Sequence, residues 1–248
     1  MQRIGPYDLE FVCDRLRRFA AEYRAGGASA RYVLNKGALV NERLVHGDAG
    51  LVMRTLSRQR RLHVVELPFS AERVLVKSNI RIIGLGRRAE LVAKIQLRHS
   101  LGTSLRREVR TNLILSRLVE SHPELGRRRG FAIPRVIRSS APGRWLIEER
   151  APGVMATEAD VAAFLARYGK PFYGLTARPR AWRPVDEREQ LVAEAARLVP
   201  GAAVDPGEQP VVVALCHGDL TRTNLLRGPG GIWLVDFEVT RVMPLAFD

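Results

Sequence analysis

The sequence predicts an α+β protein of two lobes, in which an antiparallel sheet forms the N-lobe and helices form most of the C-lobe. Between residues 61 and 150, short segments rich in β-branched residues alternate with turn-forming residues, a pattern typical of an antiparallel sheet. Beyond Ala151-Pro152-Gly153, helical periodicities dominate, and only two short apolar segments interrupt them. The tripeptide therefore marks a linker between two lobes.

The first sixty residues are predicted to be a mostly helical N-terminal extension to the lobes, which cover residues 61–150 and 151–248. In residues 7–24, apolar side chains recur at three- and four-residue steps, so this segment predicts an amphipathic helix. A second helix is predicted from residue 50 to about residue 60.

The lobes contain the remaining predicted elements. Strands are predicted over residues 62–67, 73–77, 81–85, 90–97, 131–138, 144–149, 211–215 and 232–235. Helices are predicted from a cap at Thr103 or Ser104 to Val119, and over residues 158–168 and 186–198. Most of the strands and the longest helix thus precede the linker.

The chain is strongly basic, with 40 lysine and arginine residues, 26 acidic residues and a formal net charge of +14. Residues 1–153 contain 30 basic and 14 acidic residues, whereas residues 154–210 contain 7 and 8. The basic part could contact an anionic surface, although an arginine-favouring codon bias would produce the same composition. Neither zinc-finger spacing nor a basic stripe with interleaved aromatic residues is present, so nucleic acid is not indicated.

The sequence carries no evident targeting or membrane signal. Its N-terminus has no apolar signal core, and the longest apolar run, residues 211–216, is far too short to span a bilayer. The two cysteines, Cys13 and Cys216, have no metal-ligand spacing and do not indicate a disulfide framework. We therefore expect a cytoplasmic protein without a transmembrane segment.

One segment near the C-terminus combines the polar groups that phosphoryl transfer requires. His217-Gly218-Asp219 is followed by Asn224 after five residues and by Asp236 after seventeen. Phosphoryl transfer needs a carboxylate beside the attacking hydroxyl and hard oxygen ligands for the magnesium that bridges the phosphates. His46-Gly47-Asp48 repeats the tripeptide, but Met53 stands where the asparagine is needed, so that copy is interpreted as a turn.

This segment resembles the motif of the aminoglycoside phosphotransferase and choline kinase family, which shares the protein-kinase fold. The resemblance implies that ATP and Mg²⁺ are bound, that Asp219 is the catalytic carboxylate and that His217 braces its loop. It also implies that Asn224 and Asp236 bind the magnesium. Protein kinases usually have Asp-Phe-Gly where this chain has Asp236-Phe237-Glu238, and this departure favours the small-molecule branch.

The resemblance extends to the nucleotide-binding residues of the N-lobe. Lys94 lies inside an apolar strand, where a charge needs a partner, and it resembles the family's phosphate-binding lysine. Glu108, one turn into the following helix, resembles the glutamate that fixes this lysine, although a surface ion pair would also explain it. Ser78 and Asn79 resemble the loop that covers the phosphates, while Gly84-Leu85-Gly86 is interpreted as a hairpin turn.

The linker resembles the family's hinge between the lobes. Backbone groups near Glu149 and Ala151 would then hydrogen-bond adenine, whereas the alternative is an ordinary exit from a strand. The chain stops shortly after the metal motif, where family members usually continue with helices, so we expect either a fragment or a differently built acceptor site.

The sequence therefore predicts a phosphotransferase that acts on a hydroxyl group of a small molecule or sugar. A kinase for lipopolysaccharide, polysaccharide or protein is the nearest alternative, and a catalytically inactive, nucleotide-binding interaction module is another. Because residues 154–210 are nearly neutral, we expect a neutral or anionic acceptor rather than a polycationic aminoglycoside.

Overall fold

In the computed structural model, the described residues are 3–4, 6–23, 29–35, 38–44, 63–77, 79–86, 88–97, 105–140, 143–180 and 211–244. The helices predicted over residues 50–60 and 186–198 lie outside these ranges, as do Ser78, Thr103 and Ser104. No helix in the described part of the chain has the length and apolar character that crossing a bilayer requires.

The N-terminal half is built on one large antiparallel sheet. The chain starts with the short pair β1 (Arg3–Ile4) and β2 (Tyr7–Asp8), followed by helix α1 (Leu9–Tyr23). The sheet contains β3 (Ala30–Asn35), β4 (Ala38–Asn41), β5 (Val64–Leu67), β6 (Arg73–Val76), β7 (Asn79–Leu85), β8 (Leu91–Gln96), β10 (Val136–Ser139) and β11 (Trp145–Glu149). Its strand order is β10-β11-β8-β7-β6-β4-β3-β5, and every neighbouring pair is antiparallel.

Helix α1 packs on this sheet rather than beside it. Its apolar face includes Leu9, Val12, Leu16 and Phe19, which are buried in the same core cluster as the strands. These side chains recur every three or four residues, so one helical face meets the sheet and the opposite face remains polar. The predicted amphipathic helix is therefore present, and it contributes to the core of the N-terminal half.

The first sixty residues differ from the expected, mostly helical extension. Strands β3 and β4 lie within them and hydrogen-bond into the large sheet through β5 and β6. The Tyr32 hydroxyl fixes β3 to the loop before β6, because it donates to the Phe69 carbonyl at 3.2 Å and accepts from the Ala71 amide at 2.7 Å. Each of these two strands contains a single β-branched residue, so neither shows a strand pattern in the sequence.

The helix that follows the sheet matches the prediction closely. Helix α2 (Leu105–Ser121) buries Leu105, Glu108, Asn112, Leu115 and Val119, which recur at alternating three- and four-residue steps. Two of these buried side chains are polar, so the face of α2 that packs on the sheet carries functional groups as well as apolar contacts. A 3₁₀ turn, Arg127–Arg129, follows the helix.

The second half contains more strand than was predicted. A four-stranded sheet has the order β12-β15-β16-β9, and a three-stranded sheet has the order β13-β14-β17. Their strands are β9 (Phe131–Ala132), β12 (Val154–Met155), β13 (Arg178–Arg180), β14 (Val211–Cys216), β15 (Leu225–Gly228), β16 (Gly231–Leu234) and β17 (Arg241–Pro244). Among the strands of the described residues, only β9 and β16 pair in parallel.

The described helices of the second half are short. Helix α3 (Glu158–Phe164) starts at a capping box formed by Thr157 and Asp160 and continues into the π-helical turn Leu165–Gly169 and helix α4 (Lys170–Gly174). Their aromatic side chains pack against β9, β15 and β16 in a second apolar core. Helical residues predominate in residues 154–180 and strands in residues 211–244, so the expectation of a mainly helical C-lobe is met in only the first of these described ranges.

Candidate functional site

Lys94 is the buried centre of the candidate site. It lies on the interior strand β8, and its side chain is only 3% exposed. Its Nζ forms an ion pair with Glu108 of α2 and lies 3.3 Å from Glu148 Oε1 and 3.2 Å from Asp236 Oδ1. Burial alone would lower the pKa of this lysine, but the three carboxylates outweigh burial and raise the pKa, so Lys94 is charged.

Glu148 is a member of this cluster that sequence reasoning missed. It lies on β11, next to β8, and accepts a hydrogen bond from the Asn112 amide of α2 at 3.2 Å. Burial raises the pKa of Glu148 to about 7, because the nearby Lys94 only partly compensates for the lost hydration and for the charge of Glu108. A charged residue within the apolar segment Trp145-Leu-Ile-Glu148 is the same signal that identified Lys94.

Asp236 lies between two cations at the end of β16. Lys94 contacts one carboxylate oxygen, and Arg81 Nη2 lies 2.7 Å from the other, Oδ2. Burial alone would raise the pKa of Asp236, but Lys94 and Arg81 lower it to about 2, so the carboxylate is ionised. The backbone of Asp236 is left-handed, with φ 72° and ψ 59°, a conformation that aspartate tolerates better than most residues.

Glu238 and Asn79 complete the polar cluster. Glu238 lies in the 3₁₀ turn Phe237–Val239, and its Oε2 accepts from the Asn79 amide at 2.8 Å. Burial and the adjacent Asp236 raise the pKa of Glu238. Asn79 Oδ1 in turn accepts from Arg81 Nε at 3.2 Å. Asn79 is predicted to lie over the phosphates, but its buried side chain is hydrogen-bonded to Glu238 and Arg81. Ser78, the other residue of the predicted loop, is outside the described residues.

The loop after β14 carries the predicted catalytic residues. Asp219 is exposed, and both its carbonyl oxygen and its Oδ2 accept from the Asn224 amide, at 2.9 and 2.8 Å. Asn224 lies beside the metal motif because its carbonyl accepts from the Val235 amide at 2.9 Å. The spacing in the sequence thus places Asp219, Asn224 and Asp236 on adjoining segments.

His217 connects this loop to the strand end that carries Asp236. Its buried ring lies 4.9 Å from the Phe237 ring, and its Nε2 lies 2.8 Å from the Val235 carbonyl. Since a carbonyl oxygen only accepts, Nε2 is the protonated nitrogen. The contact joins the end of β14 to the residue that precedes Asp236.

In the predicted hinge, the backbone and the side chain of Glu149 already form contacts within the protein. The Glu149 amide donates to the Arg135 carbonyl at 2.9 Å, and the Glu149 side chain forms a bidentate ion pair with Arg127. Burial alone would raise the pKa of Glu149, but the hydrogen bonds and the charges of Arg127 and Arg135 together lower it. No hydrogen bond from the Ala151 amide is seen among the described residues. The Glu149 amide is therefore already used within the protein.

The carboxylates of the cluster have the donor chemistry for a divalent cation. Ligand oxygens of Glu108, Asp236 and Glu238 lie within 4.8 Å of one another. Glu108 Oε2 is buried and has no hydrogen-bond partner among the described residues. Hard carboxylate and amide oxygens are the ligands that Mg²⁺ prefers, so these residues and the predicted pair Asn224 and Asp236 fit the ion.

Solved structures of small-molecule phosphotransferases are similar to the chain. The complex of APH(2")-IIa with streptomycin and ATP is 15% identical, with a TM-score of 0.46 over 83% of this chain and 75% of the other. A choline/ethanolamine kinase family protein from Mesorhizobium loti is 14% identical, with a TM-score of 0.41 over 72% and 60%. The macrolide 2'-phosphotransferase MphH from Brachybacterium faecium is 17% identical, with a TM-score of 0.39 over 68% and 65%.

Neither a family model nor a curated protein matches the chain. The chain resembles aminoglycoside phosphotransferases and choline or ethanolamine kinases, as its motif does, but the identities and TM-scores are low. The function proposed for the chain therefore rests on the contacts of its own residues.

Proposed function

We propose that the chain is an ATP- and Mg²⁺-dependent phosphotransferase that phosphorylates a hydroxyl group of a small molecule or sugar. The observation that supports this best is the buried cluster in which Lys94 contacts both Glu108 and Asp236. A lysine held between a helix carboxylate and a metal-binding aspartate is the arrangement that positions nucleotide phosphates. In this proposal, residues 61–150 belong to the nucleotide-binding lobe and residues 151–248 to the lobe with the catalytic and metal motifs.

The residues divide into those that hold nucleotide and those that act on the acceptor. Lys94 would bind the phosphates, while the Glu149 carbonyl and the Ala151 amide would bind adenine. Asp236 and Asn224 would hold the magnesium, Asn224 through Oδ1 because its nitrogen is bonded to Asp219. The bound metal would neutralise charge that develops on the phosphate oxygens.

Asp219 would act on the acceptor. Its carboxylate is exposed, and only one of its oxygens is bonded to Asn224, so the other oxygen can accept the proton of a hydroxyl group. The acceptor oxygen forms a bond to the γ-phosphorus, the bond to the oxygen that bridges the β- and γ-phosphorus breaks, and ADP leaves with that electron pair. The hydroxyl proton passes to Asp219, so the proton, the new bond and the leaving group are all accounted for.

One observation favours a second candidate function, a nucleotide-binding interaction module without transfer activity. Both carboxylate oxygens of Asp236 are in contact with protein cations, Lys94 and Arg81, which compete with a metal for this ligand. Both functions require nucleotide binding, and only the first requires Asp219.

The test is calorimetric binding of ATP, followed by transfer assays. We expect ATP to bind more tightly with Mg²⁺ than without it, and Asp236→Ala to remove most of that difference. Asp219→Asn is expected to spare ATP binding within about twofold and to lower transfer by ~10³-fold or more, because only the proton acceptor is lost. Asp14→Asn, an exposed aspartate of α1, is the control.

Two outcomes separate the candidates. Absence of ATP binding with and without Mg²⁺ would exclude both functions. Full transfer activity of Asp219→Asn would show that the role given to Asp219 is wrong, whereas binding without transfer to any hydroxyl compound would support the interaction module.

We also infer that the acceptor is neutral or anionic, because residues 154–210 carry nearly balanced charge. A site for a polycation should be rich in carboxylates. ATP consumption with sugar-type and kanamycin-type acceptors, at low and moderate salt, tests this inference. Efficient and salt-sensitive phosphorylation of the aminoglycoside would contradict it and leave the phosphotransferase assignment intact.

A further inference from the structure

Arg81 and Lys94 are direct neighbours on adjacent strands. The antiparallel register of β7 and β8 pairs Arg81 with Lys94, so the two side chains project from the same face of the sheet. Both reach Asp236, Lys94 at Oδ1 and Arg81 at Oδ2. The two cations thus flank a single carboxylate, the one that the proposed function assigns to the metal.

The two cations differ in how firmly they are held. Lys94 is 3% exposed and also forms ion pairs with Glu108 and Glu148. Arg81 is 24% exposed, and besides Asp236 its guanidinium contacts only Asn79 at 3.2 Å and Glu238 at 3.9 Å among the described residues. Arg81 is therefore the cation that can leave Asp236 without stranding a charge in a fully buried position.

The position of Arg81 also brings it close to the proposed phosphate loop. It lies two residues after Asn79, at the start of β7, and the turn before this strand is closed by the Lys77 amide, which donates to the Asn79 carbonyl at 3.0 Å. A guanidinium at this place carries five donors in a planar fork, the geometry that suits a phosphate group.

We propose that Arg81 is a second phosphate-binding residue beside Lys94, and that it exchanges Asp236 for the nucleotide phosphates when metal and nucleotide bind. This inference rests on the proposed function, since it concerns the same nucleotide site. The ion pair with Asp236 keeps the carboxylate compensated before binding. With a divalent ion held by Asp236, the Arg81 guanidinium would be released from this carboxylate and would pair with phosphate oxygens instead.

The first test is a series of nucleotides that differ in their number of phosphates. Calorimetry should compare ATP, ADP, AMP and adenosine on the unsubstituted protein, on Arg81→Gln and on the control Arg73→Gln, an exposed arginine of the neighbouring strand β6. For Arg81→Gln we expect ATP affinity to fall ~10-fold or more while adenosine affinity changes less than about twofold, because a charge-assisted contact is lost only with phosphates. Arg73→Gln should leave all four affinities unchanged.

The second test measures the competition for Asp236 without nucleotide. Mn²⁺ alone is the probe, and electron paramagnetic resonance counts the free ion. We expect Arg81→Gln to bind Mn²⁺ several-fold more tightly than the unsubstituted protein, because no guanidinium competes for Oδ2. If the role of Arg81 were purely structural, Arg81→Gln would change the melting temperature but neither the nucleotide affinities nor the Mn²⁺ affinity.

Either of the two tests can contradict the proposal. An ATP-to-adenosine affinity ratio equal to that of the unsubstituted protein, or an unchanged Mn²⁺ affinity, contradicts it while nucleotide binding and the proposed function stand. Absence of ATP binding by the unsubstituted protein contradicts the proposed function itself. Should Arg81→Gln fail to fold, Arg81→Lys replaces it, since this variant keeps the charge but lacks the planar fork and should lose part of the ATP preference.

Discussion

Glu148 is the residue whose surroundings predict a dependence of stability on pH. The groups that face it are Lys94 on β8, Asn112 and Glu108 on α2, and Asp236 beyond β16. Its pKa in the folded protein is about 7, against an ordinary value of 4.5. The folded carboxyl therefore keeps a proton that the unfolded chain releases at a lower pH, and its contribution to stability is present below pH 4.5 and is lost as the pH rises through 7.

We expect the free energy of unfolding to fall by roughly 1–3 kcal/mol between pH 5 and pH 8 through this group, the size that a raised carboxyl pKa of this order implies. Urea unfolding of Glu148→Gln across this window should lack that decline, because glutamine does not titrate. Glu149→Gln is the matched control, since the pKa of Glu149 is lowered and this carboxyl is ionised throughout the window. A parallel decline in the Glu148→Gln variant would contradict the assignment.

At the scale of single residues, part of the candidate site could be predicted from the sequence. Lys94 was found because a charge inside an apolar strand needs a partner, and Asp219, Asn224 and Asp236 were found by their spacing. Arg81 was missed because the chain has 40 lysine and arginine residues in all, so one more arginine in a strand is no signal. Arg81 lies beside Lys94 because of the register between β7 and β8, which hydrogen bonds between the strands set. This register cannot be recognised in the sequence of either strand.

Among the elements, the parallel contact between β9 and β16 leads to a prediction about glycine. Gly231 has φ 113°, and a Cβ atom at this position would lie 2.1 Å from the Gly130 carbonyl oxygen. We expect Gly231→Ala to lower the free energy of unfolding by ~2–4 kcal/mol, because both the backbone conformation and the space exclude a methyl group. Thermal and urea unfolding measure this change.

The neighbouring Gly230 supplies the control for that substitution. A Cβ atom there would meet nothing within 4 Å, so Gly230→Ala should change the stability by less than about 0.5 kcal/mol. Equal effects of the two substitutions would show that the close approach of the two strands does not limit position 231. Because β16 leads directly to Asp236, Gly231→Ala should also weaken the metal dependence of ATP binding.

Elements with a clear period or composition were predicted well, and the others were not. Helix α2 and strands β6, β7 and β8 lie within a few residues of their predicted ranges, because their patterns run over several residues. Strands β12 and β13 have two and three residues, which is too short to show any period. Their pairing depends on partners that are distant in the sequence, so no local pattern identifies them.

On the scale of the whole molecule, α1 and β3, which both lie within the first sixty residues, belong to the N-terminal core. Leu16 is fully buried in the cluster that also contains the strands of the large sheet. We expect Leu16→Ala to lower the free energy of unfolding by ~2–5 kcal/mol, the cost of a cavity in a packed core. Urea unfolding would measure this loss.

The control lies on the same helix. Phe11 is 39% exposed, and Phe11→Ala should cost less than about 1 kcal/mol. A dispensable extension would instead tolerate Leu16→Ala as well as Phe11→Ala, and removal of residues 1–24 would leave a folded chain. We expect that removal to expose the apolar face of the sheet and to abolish cooperative unfolding.

The pairing of β9 with β16 also sets the order in which the molecule can assemble. Phe131 pairs with Ile232, about one hundred residues later in the sequence, whereas β6, β7 and β8 pair with their immediate neighbours along the chain. Closing a long loop is slow, because its entropy must be lost before distant contacts compensate for it. A nascent chain can thus form the sheet around Lys94 early, but Asp236 reaches that lysine only after residues 231–236 have also been synthesised. Lys94 is therefore in place first, and Asp236 joins it last.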